Sequence, residues 1–297
     1  MNKLNDSASQ PVTVTSSLPA RSTAVSAAQL GVLLHWMFRV ALLMEFVGHG
    51  AFGIMTKASW VPYFGVFGIS EAMAYRLMPI IGTVDVTLGT LAFLSPRRAA
   101  LAYMTFWGFF TAMLRPLSGE SFWEVLDRAG NYGIPLAFLL YSGWAHSARE
   151  WFAPIRPRPM TRESIRGLAA ALKWTTVACL IGHGAYGALL QKAVLAKQYA
   201  AVGLTSLPWI GVEFTRALGW TEIALGLAIA IRPLWYLLVA AAGYKVATEL
   251  LYPVTGAPVW EFVERGGTYV APLALFAILQ VARGGLVVPK EPTERTK

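Results

Sequence analysis

The chain is written as long apolar runs cut by short polar stretches. Runs near residues 30–55, 77–94, 99–114, 132–144, 169–190, 215–231, 234–251 and 269–281 approach or exceed the roughly 20 residues that span a bilayer as a helix. The fourth reaches that length only with its amphipathic lead from Trp123. This pattern predicts an all-α, polytopic membrane protein with eight transmembrane helices. Residues 1–28, rich in Ser, Thr and Ala, lack the short apolar core of a cleavable signal peptide and read as a disordered tail. Residues 285–297 read as a second tail.

The pattern occurs twice. Gly48, His49, Gly50, Ala51, Phe52 and Gly53 return as Gly182, His183, Gly184, Ala185, Tyr186 and Gly187, each set closing an apolar run. Farther on, Gly82 aligns with Gly219, Asp85 with Glu222, Gly89 with Gly226 and Pro96 with Pro233. Both copies end in W-E-x-x-[DE]-R-[AG]-G-x-Y-x-x-P, from Trp123 to Pro135 and from Trp260 to Pro272. A repeat of this length is the size of a domain, well beyond solenoid periods. It predicts a first four-helix membrane repeat over 29–147, a basic linker over 148–168 and a second four-helix repeat over 169–284. An even number of helices per half makes the repeats parallel, related by a pseudo-twofold along the membrane normal.

Composition agrees with the membrane reading: 56% of residues are hydrophobic and only 14% charged, too apolar for an ordinary soluble domain. The formal charge of +9 could point to nucleic acid, but the basic residues sit in short loops between apolar runs, which is the pattern of orientation signals. Lysine and arginine are more numerous on the side that holds both termini, the linker and the loops at Arg97 and Arg232. Both termini are therefore expected in the cytoplasm, with the chain in the inner membrane. The single cysteine, Cys179, excludes an intrachain disulfide and a cysteine metal cluster.

Seven ionisable residues other than histidine fall inside the runs: Arg39, Glu45, Asp85, Lys173, Glu222, Lys245 and Glu249. Unpaired, each costs on the order of 3 kcal/mol near the bilayer centre, so partners are expected. Arg39 matches Lys173 and Asp85 matches Glu222, and counting from opposite helix ends sets base and acid at similar depth. This predicts buried pairs Arg39–Asp85 and Lys173–Glu222. Lys245 and Glu249 have the spacing of a pair on one helix, where the first half carries Gly108 and Ala112. Glu45 lies one turn before His49, whereas Cys179 takes that place before His183. The asymmetry makes Glu45 and His49 the candidate catalytic pair.

The end motifs have the acid-before-base order that favours Glu124–Arg128 and Glu261–Arg265 pairs on their own helices. A polar pocket is expected in the outer leaflet of each half. His49, Lys57, Asp85, Arg115, Glu124 and Arg128 would line the first, and His183, Glu222, Glu261 and Arg265 the second. His35 and His49 have the spacing of stacked haem ligands, but Ala169 stands where the second copy needs a histidine, which leaves at most one haem between His49 and His183. No metal site is predicted. Neither a phosphate-binding glycine loop nor a G-x-S-x-G turn is present.

A basic residue on an early helix, small residues around His-Gly and a lysine near the helix exit, here Arg39, Gly48, His49, Gly50 and Lys57, resemble the DoxX-like membrane protein family. The resemblance covers two such units in tandem, with Lys173 for Arg39 and Gln191 at the position of Lys57. It implies a four-helix bundle per unit and a membrane subunit of a quinone-linked redox system, with quinone and a redox partner protein. Two other readings stay open from the residues themselves. One is a small-solute or proton-coupled transporter gated by the Arg39, Asp85, Lys173 and Glu222 pairs; the other is a non-catalytic scaffold in which all buried charge is structural.

Overall fold

The structure, a computed structural model, describes residues 26–204 and 213–283. The two expected tails lie almost wholly outside the described residues. Eight principal helices follow in order: α1 (Ala27–Ile54), α2 (Glu71–Leu94), α3 (Arg98–Leu117), α4 (Ala129–Ser142), α5 (Arg162–Ala188), α6 (Phe214–Ile231), α7 (Trp235–Glu249) and α8 (Gly266–Arg283). Short helical turns occupy the connections, among them Val61–Gly65, Trp123–Asp127 and Trp260–Val263. The protein is all-helical among the described residues.

Among the described residues six stretches are long and apolar enough to cross a membrane: Ala27–Ile54, Glu71–Leu94, Glu163–Ala188, Phe214–Ile231, Trp235–Val254 and Trp260–Val281. The expectation of eight meets this standard only in part. α4 has 14 residues, about 21 Å of helix against a hydrocarbon core of about 30 Å. α3 has 20 residues but carries Arg98 at its start and Arg115 near its end. The lead from Trp123 does not lengthen α4, because the helix breaks at Arg128 and resumes at Ala129.

Polar start signals extend the helices beyond their apolar runs. Ser26 Oγ accepts from Gln29 N at 3.2 Å while Gln29 Oε1 accepts from Ser26 N at 2.9 Å, a reciprocal cap that satisfies two free amides of the first turn. Thr161 and Ser164 cap α5 in the same way. Glu71 and Glu163 sit in the first turns of α2 and α5, where the helix dipole favours an acid.

Each first helix packs on the second helix of its own half through glycines. A β-carbon at Gly82 would fall 2.4 Å from Gly50 O, and one at Gly219 would fall 2.3 Å from Ala188 N and 2.5 Å from Gly184 O. Only glycine admits backbones this close. α1 also packs on α8, and α5 on α4, so the first helix of each half lies against the last helix of the other. One core results, shared by Leu34 and Phe38 of α1, Phe138 of α4, Leu172 of α5 and Ile278 of α8.

The segment between the halves is seated on helix ends. Met160 N donates to Ala27 O at 3.2 Å, and Tyr141 OH donates to Gly31 O at 2.9 Å while accepting from Arg158 N at 3.1 Å. Arg98 donates to Ser142 O at 2.7 Å and Gly143 O at 2.9 Å, where the carbonyls ending α4 attract a cation. Gly82→Ala should lower stability by about 1–3 kcal/mol through overpacking against Gly50. Gly243→Ala, at an open position on α7, should be neutral or stabilising by up to about 1 kcal/mol; thermal unfolding of the solubilised protein separates the two.

Candidate functional site

The acids on α2 and α6 serve the histidines. His49 Nδ1 lies 2.9 Å from Asp85 Oδ2, and His183 Nδ1 lies 2.8 Å from Glu222 Oε2. The expected Arg39–Asp85 and Lys173–Glu222 pairs do not form. Arg39 instead donates to Phe93 O and, at 3.2 Å, to Leu94 O, with its guanidinium 4.0 Å from the Trp36 ring centre. Lys173 donates to Ala230 O at 3.2 Å. Both bases hold the last carbonyls of the second helix, where the dipole is negative. Asp85 lies nine residues before the end of α2 at Leu94, about 14 Å deeper than those carbonyls. The glycine contact of Gly50 with Gly82 fixes an antiparallel register that carries Asp85 to His49.

The W-E-x-x-[DE]-R motifs reach across the halves reciprocally. Arg128 Nη1 lies 2.9 Å from Glu264 Oε1, and Arg265 Nη1 lies 3.0 Å from Asp127 Oδ2. Lys57 Nζ is 2.7 Å from Glu261 Oε1, and Lys192 pairs with Glu124. The ammonium groups lie over matching rings, Lys57 3.8 Å from the Phe52 centre and Lys192 3.6 Å from that of Tyr186. The Glu124–Arg128 and Glu261–Arg265 pairs expected within each motif are absent because the helix breaks between acid and base. The backbones meet as closely as the charges: a β-carbon at Gly48 would fall 2.4 Å from Glu264 N, and one at Gly182 would fall 2.2 Å from Asp127 N. Arg115 Nη1 also lies 3.4 Å from Glu124 Oε2.

In the second half the space beside the histidine is filled. Lys245 Nζ pairs with Glu249 Oε1 at 2.8 Å, as its spacing predicted, and Arg265 Nε reaches Glu249 Oε2 at 2.8 Å. Tyr244 OH donates to Glu222 at 3.1 Å. His183 is 2% exposed, with Nε2 turned toward Glu249. Enclosed this way, it offers no face to a haem shared with His49. Gly108 and Ala112 stand at the matching first-half positions, and there the space stays open. A cavity of about 220 Å³ is lined by His49, Trp60, Tyr63, Phe110, Ala112 and Arg115 among others.

His49 stacks on Trp60 at 4.5 Å and, among the described residues, only its Nδ1 has a polar partner, which leaves Nε2 available. Glu45 lines a small recess together with His49, Trp107 and Asn131, but no hydrogen bond joins Glu45 to His49. The Glu45 carboxyl lies against the backbone of Gly267 and is 1% exposed, and neither of its oxygens has a hydrogen-bond partner.

A second, charged cavity of about 200 Å³ lies between the halves and takes in Lys57, Glu124, Glu261 and Arg265. Arg115, Arg128, Trp60 and Tyr63 form a wall common to both cavities. The expected pair of pockets, one per half, is thus replaced by an apolar cavity in the first half and a charged one at the junction. His183 and Glu222 line neither. Trp60 and Tyr63 were missed because aromatic residues near helix ends look the same whether they line a cavity or face lipid, and Trp107 and Asn131 because neither belongs to a charged or repeated pair. Tyr63 OH donates to Glu120, and burial holds its phenol well above the usual tyrosine range, opposed by Arg115.

No protein-family model matches this chain, and no curated protein or solved structure matches it either. Arg265→Met would leave Asp127 and Glu249 without their shared cation inside the protein and should cost about 3–5 kcal/mol. Lys57→Met, at a pair whose lysine is 26% exposed, should cost about 1 kcal/mol or less. Thermal unfolding of the two variants in one detergent compares them directly.

Proposed function

We propose that this chain is a duplicated, DoxX-like integral membrane protein whose first unit binds a ring-bearing lipophile of the quinone class. On this reading all eight principal helices cross the cytoplasmic membrane, α4 with its lead at Trp123–Asp127, and both termini are cytoplasmic. The observation that supports it is the open apolar cavity beside the His49–Asp85 pair, in the half where Gly108 and Ala112 replace the Lys245–Glu249 pair. A concave, mostly apolar space with a few converging polar groups is the usual form of a small-molecule site.

The residues divide the work. Trp60 and Phe110 offer flat apolar walls to a ring. Asp85 holds the His49 Nδ1 position, which leaves Nε2 as the atom that meets a ligand oxygen and passes it a proton. Arg115 and Arg128 supply donors at the cavity wall. A quinone, when bound, supplies two-electron, two-proton chemistry, with a separate redox protein as the electron partner. The second unit acts as a support, its corresponding volume filled by charge pairs. A carrier gated by Arg39–Asp85 and Lys173–Glu222 is disfavoured, since those bases hold helix carbonyls instead.

Extraction and mass spectrometry of the gently solubilised protein should return a quinone-class lipid in stoichiometric amount. Ala112→Leu should remove it by filling the cavity, at a cost of no more than about 3 kcal/mol in stability. His49→Ala should also lose it, whereas His183→Ala should keep the lipid and lose stability. Recovery of bulk lipid alone from the unaltered protein would overturn the proposal.

A further inference from the structure

Resting on the reading that the first-half cavity binds a lipophilic ring, we infer that its ligand carries an acidic oxygen group, a carboxylate or an acidic enol, set against Arg115 and Arg128. The ionisable residues lining the cavity are His49, Tyr63, Arg115 and Arg128, with no carboxylate among them. The acids that balance the two arginines stand outside it. Glu120 and Glu124 line the charged cavity on the far side of the common wall, and Glu264 packs on the backbone of Gly48. Glu45 lines only the adjoining recess. The residues lining the apolar cavity thus include two arginines and no carboxylate, and in so apolar a space an anion is attracted far more strongly than in water.

Both arginines have capacity left for a ligand. Arg115 Nη1 makes only long contacts, 3.2 Å to Glu120 and 3.4 Å to Glu124. Arg128 is held through Nη1 by Glu264 at 2.9 Å, but its Nε is buried with no hydrogen-bond partner, the nearest acid oxygen, Asp127 Oδ2, lying 3.9 Å away. A buried guanidinium donor left unmade is costly, and a charged oxygen satisfies it about twice as well as a neutral carbonyl. The ring of such a ligand lies among Trp60, Phe64 and Phe110, and its acidic end at the wall.

The test titrates the full-length solubilised protein with 4-octylbenzoate and with 4-octylbenzyl alcohol at about pH 7, at fixed detergent concentration, reading tryptophan fluorescence. The benzoate should bind at least about tenfold more tightly, the size of one charge-assisted hydrogen bond. Arg115→Gln should shrink that preference several-fold while leaving alcohol binding nearly unchanged, and Ala112→Leu should weaken both probes. Equal affinities for the unaltered protein would overturn the acidic-ligand inference and leave the cavity reading standing. Binding of neither probe would overturn the cavity reading itself. A benzoate preference that persists in full in Arg115→Gln would place the recognition elsewhere and overturn the assignment to this wall.

Discussion

A charge inside a bilayer must find a partner, and in this protein the charges of the two W-E-x-x-[DE]-R motifs find it in the other half of the chain. Asp127 takes Arg265, Glu264 takes Arg128, Glu124 takes Lys192 and Glu261 takes Lys57. Each half alone would expose arginines and acids that lipid cannot solvate, at several kcal/mol per unpaired group. The close backbone contacts at Gly48 and Gly182 exist to let these motifs approach. The relation has the form of an isologous contact, in which a surface meets its own copy. On the duplication reading, a single unit would satisfy the same pairs by dimerising, and fusion would make the arrangement permanent.

Once the halves are locked, one of them is free to change. The second half places Lys245 and Glu249 beside His183 and closes the space with ion pairs. The first half has Gly108 and Ala112 there and leaves a cavity beside His49. A void of this size forgoes packing and is destabilising unless something fills it. The interlocked motifs and the close-packed second half offset that cost.

Much of this was legible from residue pattern. The helix order followed from hydropathy, and the glycines of the repeat are the residues at which α1 meets α2 and α5 meets α6. The Lys245–Glu249 pair followed from spacing alone. The other pairings did not, for a definable reason. Depths counted from run ends assume that the ends of α1 and α2 are level, but the Gly50–Gly82 contact sets Arg39 beside Phe93, so α1 runs past the end of α2 and the count paired Arg39 with Asp85 wrongly. Aligning Gly50 with Gly82 in an antiparallel pair would have set His49 beside Asp85. The reach of Arg128 to Glu264 and of Arg265 to Asp127 was beyond any local pattern, because the helix break that redirects these side chains is specified by packing against the other half.

The wall between the two cavities ties these features together. Arg115 and Arg128 face carboxylates on the charged side, Glu120 and Glu124 for one and Glu264 for the other, and the apolar cavity on the other side. Arg128 thus serves both the latch between the halves and the lining of the apolar cavity, while Arg115 meets acids of its own half. A ligand oxygen that drew Arg128 toward the cavity would compete with Glu264 for it, whereas one that took only the free Nε would add a partner and tighten the latch. On the reading that a ligand takes this cavity, binding that needs both halves in place would favour their cohesion, as linkage requires of any ligand that binds the assembled state alone.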